Sequence, residues 1–148
     1  MNMKKNILII FLIHISIISF GQKVDSSFVR YWKIFRESVL DSDFKKLDSL
    51  TQFPLIVRGT LDSDPEKYIG INKFKKVFRV YLKQANAFYS ATDLNDIKEK
   101  EQLSVKDFRY LWKNQMSVDD LEFEKIKGHW KLTLIYINTA DQEENNIK

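Results

Sequence analysis

The sequence predicts a single α+β domain. Three observations carry the prediction: apolar residues recur at helical spacing in two well-separated stretches, a Phe-Pro-Leu run opens an extended segment between them, and two extended runs near the end are split by a Lys-Gly turn. No internal repeat and no second apolar pattern argues for another domain, and a chain of this length can bury a sizeable core.

Residues 1–21 are set apart from that domain. They combine basic residues at Lys4 and Lys5, an apolar run from Ile7 to Ile18, and small residues at Ser19 and Gly21. That order is the pattern of a secretory signal peptide, with cleavage expected between Gly21 and Gln22. The apolar run is shorter than the roughly 20 residues a bilayer core demands, and His14 and Ser16 interrupt it, so no stable membrane anchor is expected after cleavage. The chain has no cysteine. A lipid-modified cysteine therefore cannot follow the cut, and in a periplasmic or extracellular protein burial must do the work that disulfides do elsewhere. Loss of Lys4 and Lys5 lowers the net charge from +4 to +2. Lys45, Lys46 and the Lys73–Arg79 cluster share the remaining chain with acids spread throughout, which argues against a nucleic-acid partner.

The first element of the domain is a helix over "SSFVRYWKIFRESVL", where Phe28, Tyr31, Trp32, Phe35 and Val39 fall on one stripe and Asp25, Ser26 and Ser27 supply N-cap oxygens. After the break at Asp41-Ser42-Asp43, a shorter helix carries Phe44, Leu47 and Leu50 inward. Pro54 lacks an amide and biases Phe53 toward extended geometry, so it ends the helical run and starts a strand. Along that strand Phe53, Leu55 and Val57 lie on one face, and Pro54, Ile56 and Arg58 on the other. The polar stretch between Gly59 and Gly70 reads as an exposed connection, and Phe74, Val77, Phe78, Tyr81 and Leu82 mark a third amphipathic helix. Residues 85–114 are the least legible: Leu94 and Ile97, then Val105, Phe108, Leu111 and Trp112, give two partial patterns that fit helix or strand. The end of the domain is a β-hairpin turning at Lys127-Gly128, with Trp130, Leu132, Leu134 and Tyr136 expected on one face of its second strand. Residues 139–148 read as a polar tail with nothing to bury.

Two segments, "YWKIFRESVLDSDFKKLDSLTQFPLIVRG" and "FEKIKGHWKLTLIYI", together with the order of elements between them, resemble secreted bacterial members of the nuclear transport factor 2-like superfamily. The resemblance implies a cystatin-like cone over residues 22–138: a strongly curved antiparallel sheet wrapped around the N-terminal helices, enclosing an apolar cavity in many relatives. Such relatives range from isomerases and dehydratases to silent binders, so the fold leaves the function open.

No catalytic set emerges from the residues. Tyr31, Tyr81 and Tyr136 sit on apolar stripes, where a ring with its hydroxyl at the edge serves packing. His129 is the one histidine after residue 21, which leaves no second imidazole for a metal and no other histidine base for a serine nucleophile. The run Asp62 to Glu66 alternates oxygens as a calcium loop does, but Lys67 stands where the loop glycine belongs and Lys73 where the bidentate acid belongs. Asp119-Asp120 could offer one buried acid. Arg58, ending an apolar strand beside Gly59, could clamp a carboxylate at a rim or pair with a nearby acid.

The expectation is thus an exported cone, non-enzymatic and without cofactor or metal, binding a small apolar or acidic ligand or a protein partner. Ile56, Arg58, Tyr81, Trp112, Trp130 and Tyr136 are the candidate ligand-binding residues, and the outer sheet face is a candidate homodimer surface. Two alternatives stand beside it: a small lyase or isomerase using a buried acid and a tyrosine, and a protein-interaction or toxin-neutralising module.

Overall fold

The computed structural model describes residues 25–84, 94–104 and 106–147. The signal peptide expected at residues 1–21 lies outside them, as do Val105 and residues 85–93 of the least legible stretch. The described chain is an α+β domain built on one six-stranded sheet.

Helix α1 (Ser26–Leu40) opens at Asp25, whose carboxylate accepts from the Ser27 amide at 2.7 Å. It buries the expected stripe of Phe28, Tyr31, Trp32, Phe35 and Val39. Helix α2 (Phe44–Leu50) is capped in the same way by Asp43, which accepts from the Lys46 amide at 2.9 Å. Strand β1 (Thr51–Arg58) follows at once. Leu55 and Val57 are fully buried and the Phe53 ring lies 5.5 Å from that of Phe74, so the alternation read from the sequence holds. Strand β2 (Lys67–Ile69) returns antiparallel to β1, and helix α3 (Ile71–Tyr81) packs Phe74, Val77, Phe78 and Tyr81 into the interior. Both partial patterns of the middle stretch are real elements, one of each kind. Leu94 and Ile97 belong to helix α4 (Leu94–Glu99), held against α1 where Trp32 Nε1 donates to the Lys100 carbonyl at 2.8 Å and Arg36 Nε to that of Ile97 at 3.0 Å. Leu111 and Trp112 belong to strand β3 (Arg109–Trp112).

Strands β4 (Gln115–Val118), β5 (Leu121–Ile126) and β6 (His129–Tyr136) complete the sheet in the order β2-β1-β6-β5-β4-β3. The last hairpin turns at Lys127 and Gly128, both with positive φ, 49° and 84°, as a tight two-residue turn requires. The sheet departs from the antiparallel expectation in one pair: β1 and β6 run parallel. They are neighbours in space but separated by α3, α4 and four strands in sequence, and so long a crossover lets the chain return in the same direction. Register shifts in the pairs β1–β6, β3–β4 and β5–β6 bend the strands and increase their twist, which curves the sheet.

The β5–β6 shift corrects the expected hairpin face. Glu122 is opposite Leu134 and Phe123 opposite Leu132, so Thr133 is an extra residue without a partner. Trp130 and Leu132 join the core ahead of this bulge, and Ile135 and Ile137 beyond it, while Leu134 and Tyr136 pass to the other face.

The C-terminal segment differs more. Residues 139–148 contain helix α5 (Thr139–Glu144), capped by the Asn138 side chain accepting from the Ala140 amide at 3.1 Å. Its return at Asn146, with φ 53°, folds Ile147 inward to 4 % exposure. A tail that looks polar residue by residue thus buries an apolar side chain and an amide, Gln142, whose Nε2 donates to the Ile137 carbonyl at 2.7 Å.

The interior is a lattice of rings. Phe123 lies 5.3 Å from Phe28, 5.6 Å from Tyr31, 6.1 Å from Trp32 and 5.4 Å from Phe35, each edge to face, the geometry that places the positive rim of one ring on the negative face of the next. Phe35 continues the lattice to Phe78, which stands 5.5 Å from Tyr81.

Candidate functional site

The six residues singled out from the sequence fall in three places. Tyr81 and Trp130 are interior, at 0 % and 5 % exposure. Trp130 stacks its edge 5.0 Å from Phe28 and donates Nε1 to Ser27 Oγ at 2.9 Å, so it joins the hairpin to the start of α1. Trp112 is 76 % exposed on the outermost strand β3. The other three come together on the outer sheet face, where Ile56 is opposite both Tyr68 and Leu134, and Arg58 is opposite Tyr136.

That outer cluster is closed on itself. Arg58 forms an ion pair with Glu66, Tyr68 Oη donates to Glu66 Oε2 at 2.9 Å, and Tyr136 Oη donates to Glu122 Oε1 at 2.9 Å. Hydrogen bonds from Arg58 and then Tyr68 lower the Glu66 pKa, the same bond to Glu66 raises that of Arg58, and burial followed by the Glu122 hydrogen bond raises that of Tyr136. Gly59 is explained by a neighbour: a Cβ there would stand 2.1 Å from Asp64 Oδ2, so any side chain would displace the Asp64 carboxylate. That carboxylate accepts from the Leu61 amide and from Thr139 Oγ1, each at 2.9 Å. The alternating oxygens of Asp62 to Glu66 are therefore used to shape a turn, anchor α5 and hold Arg58. His129 is exposed at the first position of β6. Asp120 is buried at 5 % exposure, and its backbone carbonyl accepts from the Tyr136 amide at 2.9 Å.

A concave feature lies where the sequence reading placed none. A groove of about 500 Å³ runs between α3 and α5, lined by Asn72, Lys75, Lys76, Arg79, Val80, Lys83, Gln84, Asp141 and Asn145. The helical period builds its basic wall. Phe74, Val77, Phe78 and Tyr81 take the inward side of α3, which turns Lys75, Lys76, Arg79 and, two residues beyond the helix, Lys83 to solvent. The opposite wall is α5. It is held by Gln84, 2 % exposed, whose Nε2 donates to the Tyr136 carbonyl at 2.9 Å while its Oε1 accepts from the Asn138 amide at 3.0 Å. Lys76 Nζ spans the end of the groove and donates to the Asn145 carbonyl at 2.8 Å.

The electrostatics of this groove are unbalanced. Lys75 Nζ and Arg79 Cζ each lie 5.2 Å from the centre of the Phe44 ring, which steadies both side chains without neutralising them. Among the described residues the ion pairs are Lys33–Glu37, Arg58–Glu66, Lys100–Asp119 and Lys125–Asp25, and none takes a cation of the groove. Asp141 is the one carboxylate in the lining, and its side chain enters no ion pair or hydrogen bond among the described residues. The arrangement can hold an anion by charge and by several N–H donors. Its lining holds no Ser, Thr, Cys or His side chain, and among the described residues no three acidic, cysteine or histidine side chains cluster as a metal site would need.

The lysine and arginine positions of α3 were visible in the sequence as a charge cluster. What hid the site was its other wall, because nothing in residues 139–148 announces a docked helix. Compared with known proteins, the chain matches no family model, no curated sequence and no solved structure.

Proposed function

We propose that the protein is an exported, non-enzymatic binding module of the nuclear transport factor 2-like kind, and that it takes an anionic partner on its outside, in the groove between α3 and α5. The observation that carries this reading is the row of Lys75, Lys76, Arg79 and Lys83, four cations lining one concavity and absent from every ion pair among the described residues. Cations left without carboxylates at a surface concavity focus an attractive potential for an anion. Two further features support it. The rings of Phe28, Phe35, Phe78 and Phe123 pack edge to face between helices and sheet, while the cations of the groove are exposed to an incoming partner. The curved sheet with α1, α2 and α3 on its apolar side, and a hairpin as its last sheet element, fits the cone that the two sequence segments suggest.

The test is binding to a polyglutamate-coated surface at two salt concentrations. Wild-type protein should bind and be released by salt, because exposed charge interactions are screened over about 10 Å at 0.1 M ionic strength. Lys75→Glu/Arg79→Glu should abolish binding, and Lys45→Glu/Lys46→Glu, on α2, should retain it. Equal loss in the two double variants would reduce the groove to part of a generally basic surface. Export is checked separately: the native protein should begin at Gln22, and an intact mass that includes Met1 would contradict it.

A further inference from the structure

We infer that the partner enters the groove as an extended peptide segment carrying carboxylates, about five residues long, an inference that rests on the anionic partner proposed above. Length comes first. From Asn72 to Lys83 the basic wall advances eleven residues, and at about 1.5 Å per residue it is about 16 Å long. An extended chain covers that distance in about five residues at about 3.3 Å each. The groove's volume, about 500 Å³, lies within the range of about 300–1,000 Å³ typical of sites that enclose a ligand of this size.

Polarity then separates a peptide from other anions. The four cations of the basic wall supply donors only, whereas the α5 wall supplies the Asp141 carboxylate, an acceptor with a negative charge. A polyphosphate carries acceptors at every oxygen, so one that met the lysines would also face Asp141 without a donor to offer. An acidic peptide carries both kinds of group: its side-chain carboxylates meet Lys75, Arg79 and Lys83, and a backbone N–H meets Asp141. Single-stranded nucleic acid binds through aromatic platforms as well as charge. The ring beside this groove, Phe44, is already approached by Lys75 and Arg79 and offers no free face on that side.

The experiment uses the chain from Gln22 to Lys148 and three probes: a set of capped hexapeptides with two to four glutamates, inorganic tripolyphosphate, and phosphatidylcholine vesicles containing phosphatidylglycerol. Each is titrated against wild type, Lys75→Gln/Arg79→Gln and Asp141→Asn, with circular dichroism to verify folding. The expected result is one-to-one binding of at least one hexapeptide, weakened at least about tenfold in the lysine–arginine variant, as the loss of two charge-assisted contacts implies. Asp141→Asn should weaken the peptide and tighten tripolyphosphate, because the same substitution takes the charge off the acceptor that meets the peptide N–H and removes a repulsion from the other ligand. Binding of tripolyphosphate or vesicles but of no hexapeptide would overturn the peptide inference and leave the anionic reading standing. Tighter binding of both peptide and tripolyphosphate to Asp141→Asn would also overturn it. If no probe binds in a manner that depends on Lys75 and Arg79, the anionic reading falls with it.

Discussion

The outer cluster around Arg58 and the groove along α3 both gather charged side chains, yet they are opposite in kind. On the sheet, Arg58 has Glu66, Glu66 has Tyr68, and Tyr136 has Glu122. In the groove, four cations line one concavity and their one carboxylate neighbour makes no ion pair with them. The difference teaches that a charge is informative about binding according to what already answers it. Arg58 looked more promising than any lysine of α3 because it ends an apolar strand, and the fold answers it internally through a loop eight residues on.

Both regions rest on the same ring lattice, so the largest effect expected is one that fails to distinguish them. Trp32→Ala removes a 1 % exposed ring that also donates to the Lys100 carbonyl, and should cost about 3–5 kcal/mol in urea unfolding, as truncation of large core aromatics does. A cost under about 1 kcal/mol would mean that the ring is not part of the common base. Next in size is a change that strikes the groove alone. Gln84→Leu removes the bonds to the Tyr136 carbonyl and the Asn138 amide, at about 0.5–1.5 kcal/mol for each hydrogen bond lost, and should loosen α5. Hydrogen exchange at Ala140 to Asn145 should then accelerate while β1 and β2 keep their protection. Uniform acceleration would show that α5 is not a separately docked wall.

Smaller still is the response to acid, which should divide the two regions by sign of charge. The Glu66 pKa is lowered in the fold, so the stabilising effect of its pairing is present above the unfolded carboxylate value and is lost as pH falls through the lower folded value. Tyr68 and Tyr136 ring resonances should therefore move as pH is taken from neutral to 3, while those of Phe44, whose neighbours Lys75 and Arg79 enter no ion pair among the described residues, should stay. Movement of Phe44 over the same range would show that a carboxylate answers Lys75 or Arg79. The smallest effect is expected from Arg58→Ala. The pair it breaks is a third exposed on each side, and such pairs gain little over hydration, so the urea midpoint should scarcely shift and binding of acidic peptide should be unchanged. Lost peptide affinity in that variant would move the site back to the sheet.

What could be read from the sequence was whatever obeys one period over a whole element. The stripe from Phe28 to Val39, the inward face of α3 and the alternation of Phe53, Leu55 and Val57 all do, and all are placed as read. What could not be read depends on a residue that breaks a period or on a partner far along the chain. Trp130 and Leu132 were assigned to one face with Leu134 and Tyr136 because alternation gives no warning of an extra residue. Helix α5 has a single apolar anchor, Ile147, and owes its place to bonds from Gln84 and Asp64 that no local pattern encodes. The groove inherits that difficulty, since Lys76 and the Asn145 carbonyl that meet across it are 69 residues apart.

Thr133 gives the last strand a change of phase. Ahead of it even-numbered side chains belong to the core, and beyond it odd-numbered ones do, so a single strand contributes Trp130 and Leu132 to the interior and then presents Leu134 and Tyr136 to the outside. A strand that kept Thr133 and lost the bulge would be regular and yet exchange the two sides: Tyr136 would be driven into the core and Ile135 into water. Any lengthening or grafting of the hairpin must therefore add residues in pairs and keep the odd one where it is.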